Sequence, residues 1–410
     1  MPLATWRWMP NDHSCVRGVL MLGSTTVFDI AYIGRRAYHL LGAYNVNQAQ
    51  IFGNGFLDAF NTVKAGGDSP LMDNLLKADS RLNAGETGSQ MVRRLYSSNL
   101  SLNSVAGLAA TLAQRLQGTQ SLTQLSAGLP FFFYPYPQYT SGLNVLDSND
   151  FSTYNALEAQ VDHRFHNGVS FNLAYVWSNS LDTRSFDPTI TVVSTANSAS
   201  ANSTPFDIGN RGLNYAPSDF NRRHSFQWNF VDELPFGKGK HFLAGASGLA
   251  DRIVGGWEVS GYGRVTSGRP FTVYSGSNTF SSVVQTPANC TGCKSGEGTP
   301  YLDSASGLIW YLNPTQTAQF SIPAPGQFGN TGRNFLVGPH YFELDASLLK
   351  RVPLKNEKIK LEFRADATNL TNSVAFGPPT ATVTSSIFGR INNTVYSGSR
   401  KIQIGAKIHF

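Results

Sequence analysis

The sequence predicts an all-β fold: an antiparallel transmembrane β-barrel, partial, of about nine strands, with short turns on one rim and long loops on the other. Three observations carry this. Stretch after stretch alternates apolar and polar residues with period two. The connections between these stretches alternate in length. Charged residues make up only 14%, against roughly a quarter in soluble domains, while the chain holds 39 Gly, 27 Phe and 16 Tyr.

The elements follow in order. A weak strand over 14–22 precedes TVFDIAYIG, which places Phe28, Ile30 and Tyr32 on one face. The connection 42–150 is long and holds two helically spaced stretches, 56–65 and 105–117. In the second, Leu108, Leu112 and Leu116 fall one turn apart, as expected of short helices packed within a surface loop. LEAQVDHRF then sets Leu157, Ala159, Val161 and Phe165 against Glu158, Gln160, Asp162 and Arg164. His166-Asn167-Gly168 supplies a tight hairpin, because Asn-Gly takes the positive φ values such turns require. VSFNLAYVW returns with Val169, Phe171, Leu173, Tyr175 and Trp177 on one face.

Four further alternating strands fill the second half. HSFQWNF carries Phe226, Trp228 and Phe230 on one parity; GWEVSGYGRV sets Trp257, Val259 and Val265 against Glu258, Ser260 and Arg264. YFELDASL opposes Phe342, Leu344, Ala346 and Leu348 to Glu343, Asp345 and Ser347. IKLEFRADA opposes Ile359, Leu361, Phe363, Ala365 and Ala367 to Lys360, Glu362, Arg364 and Asp366. The last strand, KIQIGAKIHF, places Ile402, Ile404, Ala406, Ile408 and Phe410 on one face.

Short turns are expected at Gly23-Ser24, 166–168 and 353–356, a medium connection over 234–256, and long loops over 42–150, 182–218, 268–338 and 372–396. If Phe410 ends in the periplasm, every short turn is periplasmic and every long loop extracellular. Single-chain bacterial barrels have even strand numbers, so about nine strands read as the back part of a bigger barrel. Such a wall leaves two unpaired edges in lipid, and poor folding in isolation is expected.

Composition and motifs exclude several classes. The net charge is +6, yet basic pairs such as Arg35–Arg36, Arg93–Arg94 and Arg222–Arg223 are scattered rather than gathered, against a nucleic-acid partner. No 18-residue apolar run exists, which excludes a spanning helix but not a barrel; the mean hydropathy of −0.19 fits a barrel too. The N-terminus lacks a basic region followed by an apolar one, so it reads either as a cytoplasmic protein or as a chain missing its front. No catalytic, cofactor or metal signature occurs, and none of the three is expected. His163 and His166 have near-ligand spacing, but His163 shares the lipid parity beside a turn and reads as an interfacial residue.

The polar parity carries candidate lumen-facing charges of both signs: Glu158, Asp162, Arg164, Glu258, Arg264, Glu343, Asp345, Glu362, Arg364 and Asp366. In a barrel they line a wet interior as a salt-bridged wall, or contact a plug or a substrate. Tyr175, Trp177, Trp228 and Trp257 are candidates for lipid-facing or girdle positions, with the core of a soluble sandwich as the competing reading. Cys290 and Cys293 sit in a loop-like stretch and read as a loop disulfide, with free thiols or a half metal site as alternatives.

Long phrases of the chain resemble Oar-like TonB-dependent transporters. They are FSTYNALEAQVDHRFHNGVSFNLAYVWSNSLD, RGLNYAPSDFNRRHSFQWNFVDELPFGKGK, GGWEVSGYGRVTSGRPFTV, FGNTGRNFLVGPHYFELDASLLKRV and IKLEFRADATNLTNSVAFGPP, with FDIAYIGRRAYHLLGAYNVNQA and IFGNGFLDAFNTVKAGG before them. The resemblance implies a cell outer-membrane location, outer-membrane lipid as the surroundings, and residues 14–410 as the C-terminal part of the receptor barrel, with 1–13 unassigned. It implies that Ile402, Ile404, Ile408 and Phe410 form the terminal signal read by the barrel-assembly machinery. Complete members add a β-sandwich, a plug and a barrel of roughly 22 strands, so a TonB and plug partnership depends on a full-length protein, and this chain reads as a truncated or fragmentary form. Oligosaccharides and peptides suit the loop composition equally. A non-transporting surface protein acting in adhesion or assembly is the alternative function.

Overall fold

The computed structural model describes residues 4–9, 13–118, 132–136, 139, 143–185, 204–355, 359–394 and 398–410. Ten strands pair in chain order into one antiparallel sheet. They are β1 (Ala4–Met9), β2 (His13–Leu22), β3 (Thr26–Asn45), β4 (Asn144–His166), β5 (Val169–Asp182), β6 (His224–Glu233), β7 (Trp257–Thr266), β8 (Tyr341–Lys355), β9 (Ile359–Thr368) and β10 (Lys401–His409). The short strand Ala216–Pro217 adds to the outer end of β5. The strand order is that of an up-and-down wall, whose ends β1 and β10 each have one neighbour among the described residues.

Nine of these strands are those the alternation predicts. The tenth, β1, comes from the segment left unassigned, and its register runs from Ala4↔Leu20 to Met9↔Cys15. Its six residues hold too few alternations to stand out by pattern. It puts the paired ends Met9 and Cys15 towards the rim of the long loops, an exception to the expected layout; residues 10–12 lie outside the described ones. Two boundaries also move. β3 and β4 run on to Asn45 and back from Asn144, past the stretch a membrane crossing needs, with register shifts at Ala37/Leu40 and Leu40/Gly42. Pro353, expected in a turn, lies within β8 at a register shift, where a missing N–H is tolerated. Residues 356–358 of that turn are outside the described set.

The β4–β5 hairpin turns as the sequence requires: Asn167 has φ 53° and Gly168 φ 90°, and His166 faces Val169. In β7, a Cβ on Gly263 would lie 2.0 Å from the ring of Trp228 and one on Gly261 would lie 2.8 Å from that of Phe230. These glycines are where two large rings of β6 lie flat across the neighbouring strand.

Register aligns polarity across the sheet. Asp29, Gln160, Ala174, Gln227, Arg264 and Glu343 form one row over β3 to β8. The adjacent row on the opposite face runs Phe28, Val161, Leu173, Trp228, Gly263 and Leu344. That apolar face is uncovered: Trp177 is 46% exposed, Phe363 45% and Ile404 80%. The buried apolar clusters lie instead in the connections. One departure from the pattern has a local cause. Lys350 shares the apolar parity, but its Nζ donates to the carbonyls of Ile253 (3.0 Å) and Gly255 and sits 5.1 Å from the Trp257 ring. Those carbonyls end a short helix, α6 (Gly248–Val254), in the medium connection.

The largest cluster belongs to the first long connection. It contains α1 (Phe56–Lys64), α2 (Pro70–Leu76), α3 (Gly88–Leu95), α4 (Ser97–Ser101) and α5 (Val105–Gly118). Phe56, Phe60, Val63, Met72, Leu76, Met91, Val92, Leu108 and Leu112 are fully buried there. Sequence spacing finds α1 and α5; the Leu116 side chain lies outside the described ones. The unit also packs on more than itself. The N–H of Ala106 donates to Asn278 O (3.0 Å), Ser277 Oγ to Leu102 O (2.6 Å) and Asn103 Nδ2 to Pro323 O (2.8 Å). Two long connections are thereby joined at the same rim.

Candidate functional site

The ten candidate lumen charges share one parity, and the register carries nine of them onto one continuous face. Arg164 has the same parity but lies at the register shift beside the hairpin. Most of the acids are held locally. Arg351 donates to Glu258 (2.8 Å) and Glu362 (3.4 Å), and Arg364 to Asp366 (2.8 Å). Ser347 also donates to Asp366 (2.6 Å), the Asn369 N–H to Asp345 (2.7 Å), Asn172 to Asp162, and the Tyr341 hydroxyl to Glu343 (2.6 Å). This face is a salt-bridged, hydrogen-bonded wall with no metal-ligating group of three or more among the described residues. His163 accepts or donates at 2.7 Å with Thr26 and stacks on Phe171.

Arg264 stands apart. Its Nε is buried and has no hydrogen-bond partner. The residue is part of the lining of a cavity of about 750 Å³ at the outer end of β7 and β8, where three long connections meet. Arg222 arrives from the connection before β6, Arg269 and Phe271 from the connection after β7, and Phe376 and Pro378 from the connection after β9. Arg222 is tied to the wall by Thr266 Oγ1 (2.5 Å) and Ser267 O (2.8 Å). Burial, then repulsion from Arg269 and Arg264, pushes the Arg222 guanidinium below the usual arginine range. The lining holds three arginines and one carboxylate, Asp219, which accepts from Asn334 Nδ2 (2.6 Å) and lies 3.9 Å from Arg333. Of these only Arg264 was among the predicted lumen residues. Arg222 was visible as half of a basic pair, but nothing in linear order joins positions 222, 264 and 269 to one cavity.

Ion pairs tie the outer connections to the wall. Arg333 bonds Asp182 at the outer end of β5, with side chains 1% and 3% exposed, and donates to Asn214 O (3.0 Å). Arg184 pairs with Asp150 at 2.6 Å and donates to Ala43 O (2.7 Å). Arg211 pairs with Asp147 at 2.5 Å and lies over the Tyr44 ring. Each of these pins a connection to a wall strand. Cys290 and Cys293, with Cα atoms 5.8 Å apart, are joined through their sulfurs in the same loop system, where Cys290 packs with Tyr311 and Phe320.

The outer membrane beta barrel domain model matches residues 21–403. The chain belongs to this family. It is a protein of the cell outer membrane, and its sheet is barrel wall. No curated relative matches it. Among solved structures, it is similar to the outer membrane transporter YddB of Escherichia coli, at TM-score 0.37 and 8% identity, over 97% of this chain and 32% of that one. It is also similar to BauA, the ferric preacinetobactin receptor of Acinetobacter baumannii, at TM-score 0.35 and 7% identity, over 97% of this chain and 29% of that one. A third is FpvA of Pseudomonas aeruginosa, bound to pyoverdine, at TM-score 0.33 and 8% identity, over 100% and 33%. The chain thus spans about a third of the length of these structures.

Proposed function

We propose that this outer membrane beta barrel chain forms part of the wall, and several ligand-capturing outer loops, of a TonB-dependent, Oar-like transporter. The observation that carries this is the division of labour in the fold. The sheet leaves one apolar face uncovered and turns a salt-bridged face to water, while the packed apolar cores sit in the connections at one rim. A soluble sandwich would bury the sheet's apolar face. Here hydrocarbon covers it.

The loops would bind ligand outside, held in shape by the Arg333–Asp182 and Arg184–Asp150 pairs. A plug, moved by TonB, would gate passage along the wet wall. No residue of the chain is assigned a catalytic step. The terminal Ile402, Ile404, Ile408 and Phe410 would be read by the barrel-assembly machinery; they are exposed, as is every residue of β10. Cys290–Cys293 would be a loop disulfide formed in an oxidising compartment.

Mass spectrometry of the native product recovered from outer membranes tests this. A plug and TonB box in the same polypeptide as these strands supports transport. A mature surface product lacking both overturns it and leaves the adhesion or assembly reading.

A further inference from the structure

The cavity at the outer rim has a chemistry that narrows the ligand. We propose that it binds an anionic group, a carboxylate or a phosphate, carried on an apolar body, with Arg222, Arg264 and Arg269 as the receiving guanidiniums. This rests on the reading of the outer loops as ligand-capturing.

Three features converge. The first is unspent donor capacity. Arg264 lines the cavity, and no acceptor or carboxylate among the described residues takes a hydrogen bond or ion pair from its guanidinium, which leaves a charged donor group to be answered by an acceptor entering the cavity. Neither nearby acid pairs with it: Glu343, its cross-strand neighbour, takes the Tyr341 hydroxyl, and Asp219 takes Asn334 and lies 3.9 Å from Arg333. The second is the uncompensated charge, three arginines against one carboxylate in the lining. Like charges this close raise the free energy of the empty site, and one bound anion lowers it. Guanidiniums present paired N–H donors that match the oxygens of carboxylate and phosphate. The third is the apolar part of the lining, where Phe271, Tyr274, Phe376 and Pro378 offer an apolar surface. A volume of about 750 Å³ suits a ligand of dipeptide size. Neutral sugars would leave the arginines unanswered, so the structure favours the acidic members of the two ligand classes that loop composition suits.

The test uses the product as recovered from outer membranes in detergent, with calorimetric titration of three probes: N-acetyl-phenylalanyl-glutamate, phenyl phosphate and the neutral N-acetyl-phenylalanyl-glutamine amide. One anionic probe is expected to bind at least tenfold more tightly than the neutral one, and which one binds separates carboxylate from phosphate. Arg269 is exposed, so R269Q spares the fold and is expected to weaken that binding about ten- to a hundredfold, with R269K losing less. R264Q is expected to lose as much as R269Q while heat-modifiable migration stays normal. Equal binding of the neutral probe, or unchanged affinity in R269Q, overturns the proposal. So does the absence of any binding, which would mean that another part of the protein already fills the cavity. A product missing from outer membranes would instead sink the underlying functional reading.

Discussion

Arginine placed at neighbouring positions of β5 separates the two faces of the wall energetically. The apolar parity of this strand runs from Val169 to Trp177. Eight steps at ~3.4 Å span about 27 Å, or about 21 Å along the membrane normal at a tilt of ~40°. Leu173 is midway and has Val161 and Trp228 as lateral neighbours. Leu173→Arg therefore puts a cation near the bilayer midplane, at a cost of about 2–4 kcal/mol, or roughly 30- to 700-fold in the folding equilibrium. Ala174 is one residue on, between Gln160 and Gln227 on the wet face. Ala174→Arg should stay within about 0.5 kcal/mol of the parent. The assay is the urea dependence of protease protection in isolated outer membranes, with both variants measured beside the parent. Equal midpoints for the two variants, or a larger loss in Ala174→Arg, would refute the assignment of faces.

Other perturbations read the connections. Asp182→Ala strands the buried Arg333 guanidinium and should cost about 3–5 kcal/mol, seen as loss of amide-exchange protection over 331–338 with β2 and β3 unchanged. Leu112→Ala opens a cavity in the fully buried core of the helical connection and should cost about 2–5 kcal/mol there, read by exchange in α1 and α5. Glu86 is held down at about 2 by the Arg94 guanidinium and the Asn83 N–H. A carboxylate depressed in the folded state stabilises above its unfolded pKa and loses that contribution as pH falls towards 2. Exchange protection of α3 should thus decline between about pH 4.5 and 2, and Glu86→Gln should flatten that decline.

Much of the wall was legible because its physics is local. Period two survives in any strand with one wet and one apolar face, so the faces of β4, β5 and β9 follow from a few residues each. The Asn167-Gly168 turn follows from the φ values that pair permits. The helical connection was only half legible. α1 and α5 repeat their apolar spacing, whereas α2 and α4 are too short to do so. α3 carries a different signal: Thr87 and Gln90 form a reciprocal capping box that hydrophobic spacing alone passes over. The scale of that unit's core and its contacts with 277–278 depend on tertiary packing. So does the arginine cavity, whose residues reach one place through separate connections.

Accessibility labelling in native outer membranes tests the central claim most directly. Single cysteines replace Phe171, Phe363 and Ile404 on one parity and Asn172, Arg364 and Gln403 on the other, in a Cys15→Ser background, and meet a small, water-soluble thiol reagent. The account predicts labelling at 172, 364 and 403 and shielding at 171, 363 and 404. Labelling of the second set with shielding of the first would contradict it.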